Sequence, residues 1–164
     1  MKEDMTLDRR RWLGQLARAP RAMLESALQA VCEGAPLPAF DWLRAPETGL
    51  AMVRGRIGGA GDPFNVGEAT VTRAVLRLRA GDSAGRSAGD GAGAVGVAYQ
   101  LGRDKRRAEL AALADAMLQS PHWREAVKDR LLAPLARTLD EARGERARQT
   151  ASTRVDFYTM VRGE

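Results

Sequence analysis

The stretch that decides the fold is Ala69-Thr70-Val71-Thr72-Arg73-Ala74-Val75-Leu76-Arg77-Leu78-Arg79. Its odd-numbered and even-numbered positions hold two different sets of side chains. The odd-numbered positions from 71 onward hold valine and arginine, and the even-numbered positions hold Thr70, Thr72, Ala74, Leu76 and Leu78. Successive side chains of a β-strand point to opposite faces of the sheet, so this alternation predicts a strand with two distinct faces. It is the strongest strand signal in the chain.

Further strands are predicted on both sides of this stretch. Residues 40–44 predict a short strand and residues 49–57 a longer one, which the turn cluster Gly58-Gly59-Ala60-Gly61-Asp62-Pro63 ends. Residues 94–101 resume the alternation and predict an antiparallel meander with residues 69–79. The intervening residues 81–93 are nearly all glycine, alanine, serine and aspartate, so we expect a flexible loop.

Helices are predicted at both ends of the sheet. Residues 7–19 and 20–33 form a helical hairpin that Gly34 and the following prolines stop. Asp104 is the predicted N-cap of a third helix, and residues 123–149 are helical with an interruption expected from Pro134 and Gly144. Residues 155–161 alternate again and predict a final strand. We therefore expect one α+β domain over residues 1–164, with an N-terminal helical hairpin, a mainly antiparallel sheet, C-terminal helices and a final strand.

Composition excludes several classes of protein. Charged residues make up 29% of the chain, and no apolar run approaches the roughly 20 residues that a membrane helix needs. The first residues lack the apolar core of a signal peptide, so we expect a cytoplasmic location. One cysteine, Cys32, and one histidine, His122, exclude a disulfide framework, an iron–sulfur cluster and a multi-histidine metal site built by this chain alone. We expect it to bind no cofactor by itself.

The net charge of +5, carried almost wholly by arginine, attracts polyanions or an acidic partner surface. Gly102-Arg103-Asp104-Lys105 sets two cations at a predicted helix N-terminus, where backbone amides favour an anion; the alternative is a helix cap with solvated Arg103 and Lys105. Arg73 on the predicted strand at residues 69–79 either pairs with a carboxylate or faces another subunit, and we favour an interface. Arg54 and Arg56 on the preceding strand are further candidates for anion or partner contacts.

Two other features have a structural and a functional interpretation. The glycines at 58–61 resemble a phosphate cradle but lack the ending of a P-loop, so a hairpin turn is favoured. The final strand is apolar or aromatic on both faces, which fits a central strand of its own sheet or addition to a partner chain or symmetry mate. Its candidate interface residues are Val155, Phe157, Tyr158, Met160 and Val161.

The carboxylates offer no catalytic assignment. Capping and turn roles explain each of Glu47, Glu68, Asp104 and Asp156. A nucleophile with its base and orienting group normally needs histidine, cysteine or lysine beside a carboxylate, and this chain has few of them.

Four segments carry a resemblance to a known family, and they occur in the same order along the chain. They are Arg44-Ala45-Pro46-Glu47-Thr48-Gly49-Leu50, residues 58–74 (GGAGDPFNVGEATVTRA), Gly102-Arg103-Asp104-Lys105, and residues 155–163 (VDFYTMVRG). Together they closely resemble the PhnG family, the G subunits of the bacterial carbon–phosphorus lyase system. The resemblance runs from Arg11 to Gly163.

That resemblance implies a subunit of a core complex with the H, I and J subunits. In such complexes the I, G and H subunits with the L protein replace the adenine of ATP by methylphosphonate, which gives ribose 1-methylphosphonate 5-triphosphate. It further implies that ATP is the substrate of the complex, that the G subunit is required without being catalytic, and that homodimers arise through the complex. The glycine-rich loop is longer than the family's turn, so we expect it to lie outside any partner surface.

Two alternatives come from other classes of protein. A small basic nucleic-acid-binding module fits the arginine-rich helices, although zinc-ligand spacing, paired RNA-binding aromatics and a clear recognition helix are lacking. An independent enzyme acting on a phosphorylated small molecule would use Arg73, Arg103 and Lys105 as an anion clamp. Such a clamp positions phosphates but needs other groups to break a bond.

Overall fold

The computed structural model describes residues 2–79 and 93–153, with side chains from residue 8 onward. Within these ranges an N-terminal helix pair, an antiparallel sheet and C-terminal helices confirm the α+β class. The predicted final strand, with Val155, Phe157, Tyr158, Met160 and Val161, and most of the predicted loop at 81–93 lie outside the described residues. The elements are α1 (Lys2–Leu16), α2 (Arg21–Val31), β1 (Phe40–Arg56), β2 (Pro63–Leu78), β3 (Val95–Leu101), α3 (Lys105–Gln119), α4 (Pro121–Val127) and α5 (Ala133–Ser152).

The sheet has the order β1-β2-β3, and both neighbouring pairs are antiparallel, as the predicted meander requires. Leu76 in the middle of β2 pairs with Trp42 on one side and with Gly96 on the other. The predicted alternation of β2 is confirmed, because its even-numbered side chains from Thr72 to Leu78 are buried. This face of the sheet packs against the helices, and no helix among residues 2–79 and 93–153 covers the opposite face.

The prediction of two separate strands at 40–44 and 49–57 was wrong, because β1 is one continuous strand of 17 residues. Register shifts between Trp42 and Arg44 and between Arg44 and Glu47 absorb the extra residues as bulges. Pro46 is tolerated because β1 lies at the edge of the sheet, where a missing N–H breaks no ladder. The hairpin is also longer than predicted, since β2 begins at Pro63.

Helix α3 lies across the buried face of the sheet and approaches it very closely. A Cβ atom added to Gly96 would lie only 1.9 Å from the carbonyl oxygen of Ala112. The alanines of α3 and the glycine of β3 therefore let the two backbones come together. Leucines of α2 and of the C-terminal helices close the core from the other side: Leu24, Leu28, Leu131 and Leu135.

A carboxylate is buried inside this packing, and the sequence analysis missed it. Asp115, in the apolar stretch of α3, has no solvent exposure. It accepts hydrogen bonds from Arg9 Nη2 (2.7 Å) and Nε (3.2 Å), from Trp12 Nε1 (2.8 Å) and from the backbone N–H of Val97 (2.9 Å). A buried carboxylate is tolerated only when it is paired and hydrogen-bonded, and these donors meet that condition. Asp115 therefore ties α1 and β3 to α3.

The C-terminal helices follow one another almost without a break. A π-helical turn at Lys128–Leu132 joins α4 to α5, and the N–H of Ala133 donates to the carbonyl of Lys128. This wider turn comes just before Pro134, which has no N–H to donate. The interruption predicted there is therefore confirmed, as a π-helical turn and not as a break between helices. The interruption predicted at Gly144 was wrong, because α5 passes through it.

Replacing Gly96 with alanine tests the close approach of α3. The new methyl group meets a backbone carbonyl that cannot move alone, so we expect a loss of about 1–3 kcal/mol in the free energy of unfolding. Gly49→Ala is the matched control, because nothing lies within 4 Å of its added Cβ. Urea denaturation measures both. Equal stability of the two variants would contradict the packing described.

Replacing Asp115 with alanine tests the buried carboxylate. The change leaves the N–H groups of Trp12 and Val97 without an acceptor, and we expect a loss of about 3 kcal/mol. This loss of stability is at the low end of the range for a broken buried ion pair, because the side chain of Arg9 is 36% exposed and stays partly solvated. Asp140→Ala on the exposed side of α5 is the control, with a change of less than about 0.5 kcal/mol.

Candidate functional site

The open face of the sheet holds the first candidate, Arg73, in a row with Glu47 of β1 and Tyr99 of β3. Arg73 Nε donates to Glu47 Oε1 at 2.5 Å, and Arg44 Nη1 donates to the same oxygen at 2.7 Å. Arg73 thus has the carboxylate partner that the sequence analysis offered as one alternative. The capping or turn role predicted for Glu47 was wrong, because this carboxylate lies within β1 and pairs across the strands.

These contacts hold both groups in their charged forms. The hydrogen bond from Arg44, followed by that from Arg73, keeps the pKa of Glu47 below its ordinary value. The hydrogen bond to Glu47 in turn raises the pKa of Arg73. With two guanidinium groups on one carboxylate, the cluster has a net positive charge on the open face. Glu47 is therefore a poor general base, since proton uptake would break both ion pairs.

Arg103 and Lys105 flank the N-terminus of α3, as predicted. The side chain of Asp104 accepts from the N–H of Arg107 at 2.9 Å, which confirms its role as the N-cap. Gly102 has φ +99°, so a residue with a Cβ would be strained at this bend. Arg103 and Lys105 are both exposed, and neither forms an ion pair within the part of the chain that is described.

Arg54 and Arg56 lie near the far end of the β1–β2 hairpin. Arg56 Nη1 donates to the carbonyl of Gly61 at 3.0 Å and so closes the turn. Gly58 and Gly59 have positive φ angles of 60° and 81°, so the hairpin turn favoured by the sequence analysis is confirmed. Arg54 is exposed on the strand.

The structure does not bring the candidate cations together. Arg54 pairs with Asn65, eight positions along β2 from Arg73, which corresponds to about 26 Å of strand. Arg103 follows the end of β3, beyond the pairing of Leu101 with Val71. The hairpin arginines therefore share no common site with Arg73.

The far end of the β1–β2 hairpin exposes many large apolar side chains. We call Leu50–Arg56, Pro63–Ala69 and the turn between them the ribbon. Pairing with β3 begins only at Val71, so the ribbon is two-stranded and projects beyond the rest of the sheet. Its large apolar side chains are exposed, and they lie on both faces: Leu50, Met52, Val53, Ile57, Phe64 and Val66. The sequence analysis noted the strands here but not their exposure.

No reactive constellation appears in the described residues. Among residues 2–79 and 93–153 there is no group of three or more histidine, cysteine, aspartate or glutamate side chains placed to hold a metal ion. None of the helices described there has both the length and the apolarity needed to cross a bilayer. Cys32 is buried, and the lone pairs of Asp115 are taken by donors.

Glu47→Gln tests the ion-pair cluster through its pH dependence. A carboxylate with a lowered pKa in the folded state stabilises the fold above its unfolded pKa, and this stabilisation is lost as the pH falls through the folded pKa. We expect a small drop in Tm at pH 7 that begins to shrink as the pH falls below about 4. Glu68→Gln on the ribbon is the control, since this exposed glutamate has no ion pair among the described residues. A drop in Tm of the same size at pH 7 and at pH 2 would contradict the assignment.

Comparison with known proteins gives a consistent result over nearly the whole chain. Residues 7–163 match the model of the family described as "Phosphonate metabolism protein PhnG". A protein of Rhizobium meliloti (strain 1021), alpha-D-ribose 1-methylphosphonate 5-triphosphate synthase subunit PhnG, is 47% identical over 156 residues, which cover 95% of this chain and 90% of that relative. The resemblance found in the ordered sequence motifs is thereby confirmed, and the chain belongs to the PhnG family of phosphonate metabolism proteins.

Proposed function

We propose that this chain is a non-catalytic subunit of an alpha-D-ribose 1-methylphosphonate 5-triphosphate synthase, the assembly named for its Rhizobium meliloti relative. The observation that carries the proposal is the ribbon, because it exposes apolar side chains that the described part of the chain does not cover. Leu50 is 67% exposed, Ile57 73% and Val66 61%. A surface of this kind on a soluble protein marks a site of association.

The shape of the ribbon favours a partner that encloses it. A two-stranded ribbon is marginally stable in water by itself, and none of the described helices covers either face of this one. Its apolar side chains lie on both faces, so a partner that covered one face would leave the other in water. A groove or clamp in another protein buries both and completes the ribbon's hydrogen-bonded edges.

Membership of the PhnG family supports a proposal for the partners and the reaction. The proposed partners are the I, H and J subunits of the carbon–phosphorus lyase core complex, with the L protein. The complex transfers the ribosyl triphosphate of ATP from adenine to methylphosphonate, which makes it a transferase, and it works in the cytoplasm. ATP is a substrate of the complex, and no cofactor is assigned to this chain.

The chemistry of the described residues favours a non-catalytic role. Glu47 is clamped by two arginines, Asp115 is saturated with donors, and His122 packs edge-on against Trp123. None of them has the free lone pair and the neighbouring nucleophile that acid–base catalysis needs. The exposed cations are assigned instead to contacts with partner subunits or with the substrate they hold: Arg54, Arg56, Arg73, Arg103 and Lys105.

Binding to the partner subunits, measured with a variant whose ribbon carries charges in place of apolar side chains, tests this proposal. In the double variant Leu50→Asp/Val66→Asp each face loses apolar surface and gains a charge, while no buried contact of the domain changes. We expect binding to the co-expressed I and H subunits to weaken at least about thirty-fold, in the range that hot-spot residues carry. Leu43→Asp on the same strand, outside the ribbon, is the matched control.

Activity is measured as the release of adenine from ATP in the presence of methylphosphonate and the L protein. We expect activity only when this chain, the I subunit and the H subunit are all present. Turnover by the chain alone, or full activity without it, would contradict the proposal. Binding of DNA or RNA that weakens with salt, without any binding to the I subunit, would favour the nucleic-acid alternative instead.

A further inference from the structure

A cleft lies where α1, β3 and the junction of α3 with α4 meet, well away from the ribbon. Its volume is about 450 Å³, which is within the range of small-molecule binding sites. We call it the arginine cleft, because the described residues that line it include three arginines and no acid: Arg9, Arg10 and Arg124. The cleft therefore attracts anions.

The guanidinium group of Arg9 is held in place by α3 and β3. Its Nη2 donates to Asp115 Oδ2 at 2.7 Å and to the carbonyl of Val95 at 3.0 Å, and its Nε donates to Asp115 Oδ1 at 3.2 Å. Its Nη1 has no acceptor among the residues that the structure describes, and the side chain is 36% exposed. Arg9 thus offers N–H groups that are already fixed, so that binding an anion costs little further side-chain entropy.

Arg124 is fixed in the same way by backbone carbonyls. Its Nε donates to the carbonyl of Leu118 at 2.9 Å, and its Nη2 donates to the carbonyl of Gln119 at 3.2 Å. These carbonyls belong to the C-terminal end of α3, whose partial negative charge repels an anion when it is left bare. Arg124 covers them, and within residues 2–79 and 93–153 its Nη1 also remains without an acceptor.

Arg10 and three apolar side chains complete the lining. Arg10 is exposed and forms no ion pair with any described residue. The apolar side chains of the lining are Trp12, Leu13 and Val97. Trp12 and Arg9 both donate to the carboxylate of Asp115, which joins the apolar and the cationic parts of the cleft. An apolar wall beside fixed cations is the arrangement that small-molecule sites use.

We propose that the arginine cleft binds a small organic anion that has a phosphate or phosphonate head and an apolar body. A guanidinium group donates two parallel N–H bonds to such a head, and several of these groups suit a head that has three oxygens and about two negative charges. The apolar wall favours an occupant with apolar surface to bury. The inference concerns this chain by itself and does not depend on the proposed function.

Titration of the full chain with phenylphosphonate at about pH 8, where its head is doubly charged, tests the proposal. The reporters are the indole N–H signals in NMR spectra. We expect the signal of Trp12 to shift and that of Trp42, on the far edge strand β1, to stay unchanged. Shifts of neither signal, or equal shifts of both, would overturn the proposal.

Related compounds separate the contributions of the head and the body. Phenyl phosphate in the same titration shows which of the two heads is preferred. Benzoate has a single charge and methylphosphonate lacks the apolar ring, so we expect each to bind at least about five-fold more weakly than phenylphosphonate. Benzyl alcohol has the ring without the charge. Binding of benzyl alcohol as tight as that of phenylphosphonate would overturn the proposal.

A pair of neighbouring arginines provides the matched variants. Arg10→Gln removes one cation of the cleft without breaking a hydrogen bond of the described residues, and we expect phenylphosphonate to bind at least about five-fold more weakly. Arg11→Gln makes the same change of charge one position further along α1, and Arg11 does not line the cleft. We expect this control to change the affinity less than about two-fold. Equal effects of the two variants would overturn the proposal, because the attraction would then come from net charge alone.

Discussion

The carboxylate of Asp115 is the constraint on which the arrangement of α1, α3 and β3 depends. A bare carboxylate in an apolar core costs several kcal/mol, so it is stable there only while its donors keep their places. Two of those donors, Arg9 and Trp12, lie on α1, and the third is the backbone of Val97. The same carboxylate therefore holds α1 against α3 and accepts the backbone N–H of Val97 in β3.

Local patterns predicted the elements that depend on their own sequence. The alternation of residues 69–79 identified the central strand, the glycines at 58–59 identified the hairpin turn, and Asp104 identified the start of α3. Each depends on interactions within a few residues, which a sequence displays directly. The length of β1 was missed because a proline interrupts a strand only where the sheet needs a backbone N–H at that position. Whether it does depends on the place of the strand in the sheet, and β1 lies at the edge.

The candidate site was predicted residue by residue but not as a whole. A carboxylate partner for Arg73 was one expected alternative, yet the sequence does not show that Glu47, 26 positions away, stands opposite it. Asp115 was overlooked because it follows apolar residues of α3 and because two of its donors, Arg9 and Trp12, lie about 100 residues earlier in the chain. The close approach at Gly96 was hidden for the same reason. Contacts between distant residues are set by packing, which single-sequence patterns do not reveal.

The exposed ribbon bears on how the protein is made in the cell. A copy that has left the ribosome before its binding partner is available presents bare apolar side chains and an uncovered strand edge to every other molecule, including its own copies. Copies made in excess of the partner are therefore the most prone to aggregation and to degradation by quality-control proteases. Such a chain is safest when its synthesis is matched in amount and in time to that of the protein that shelters it.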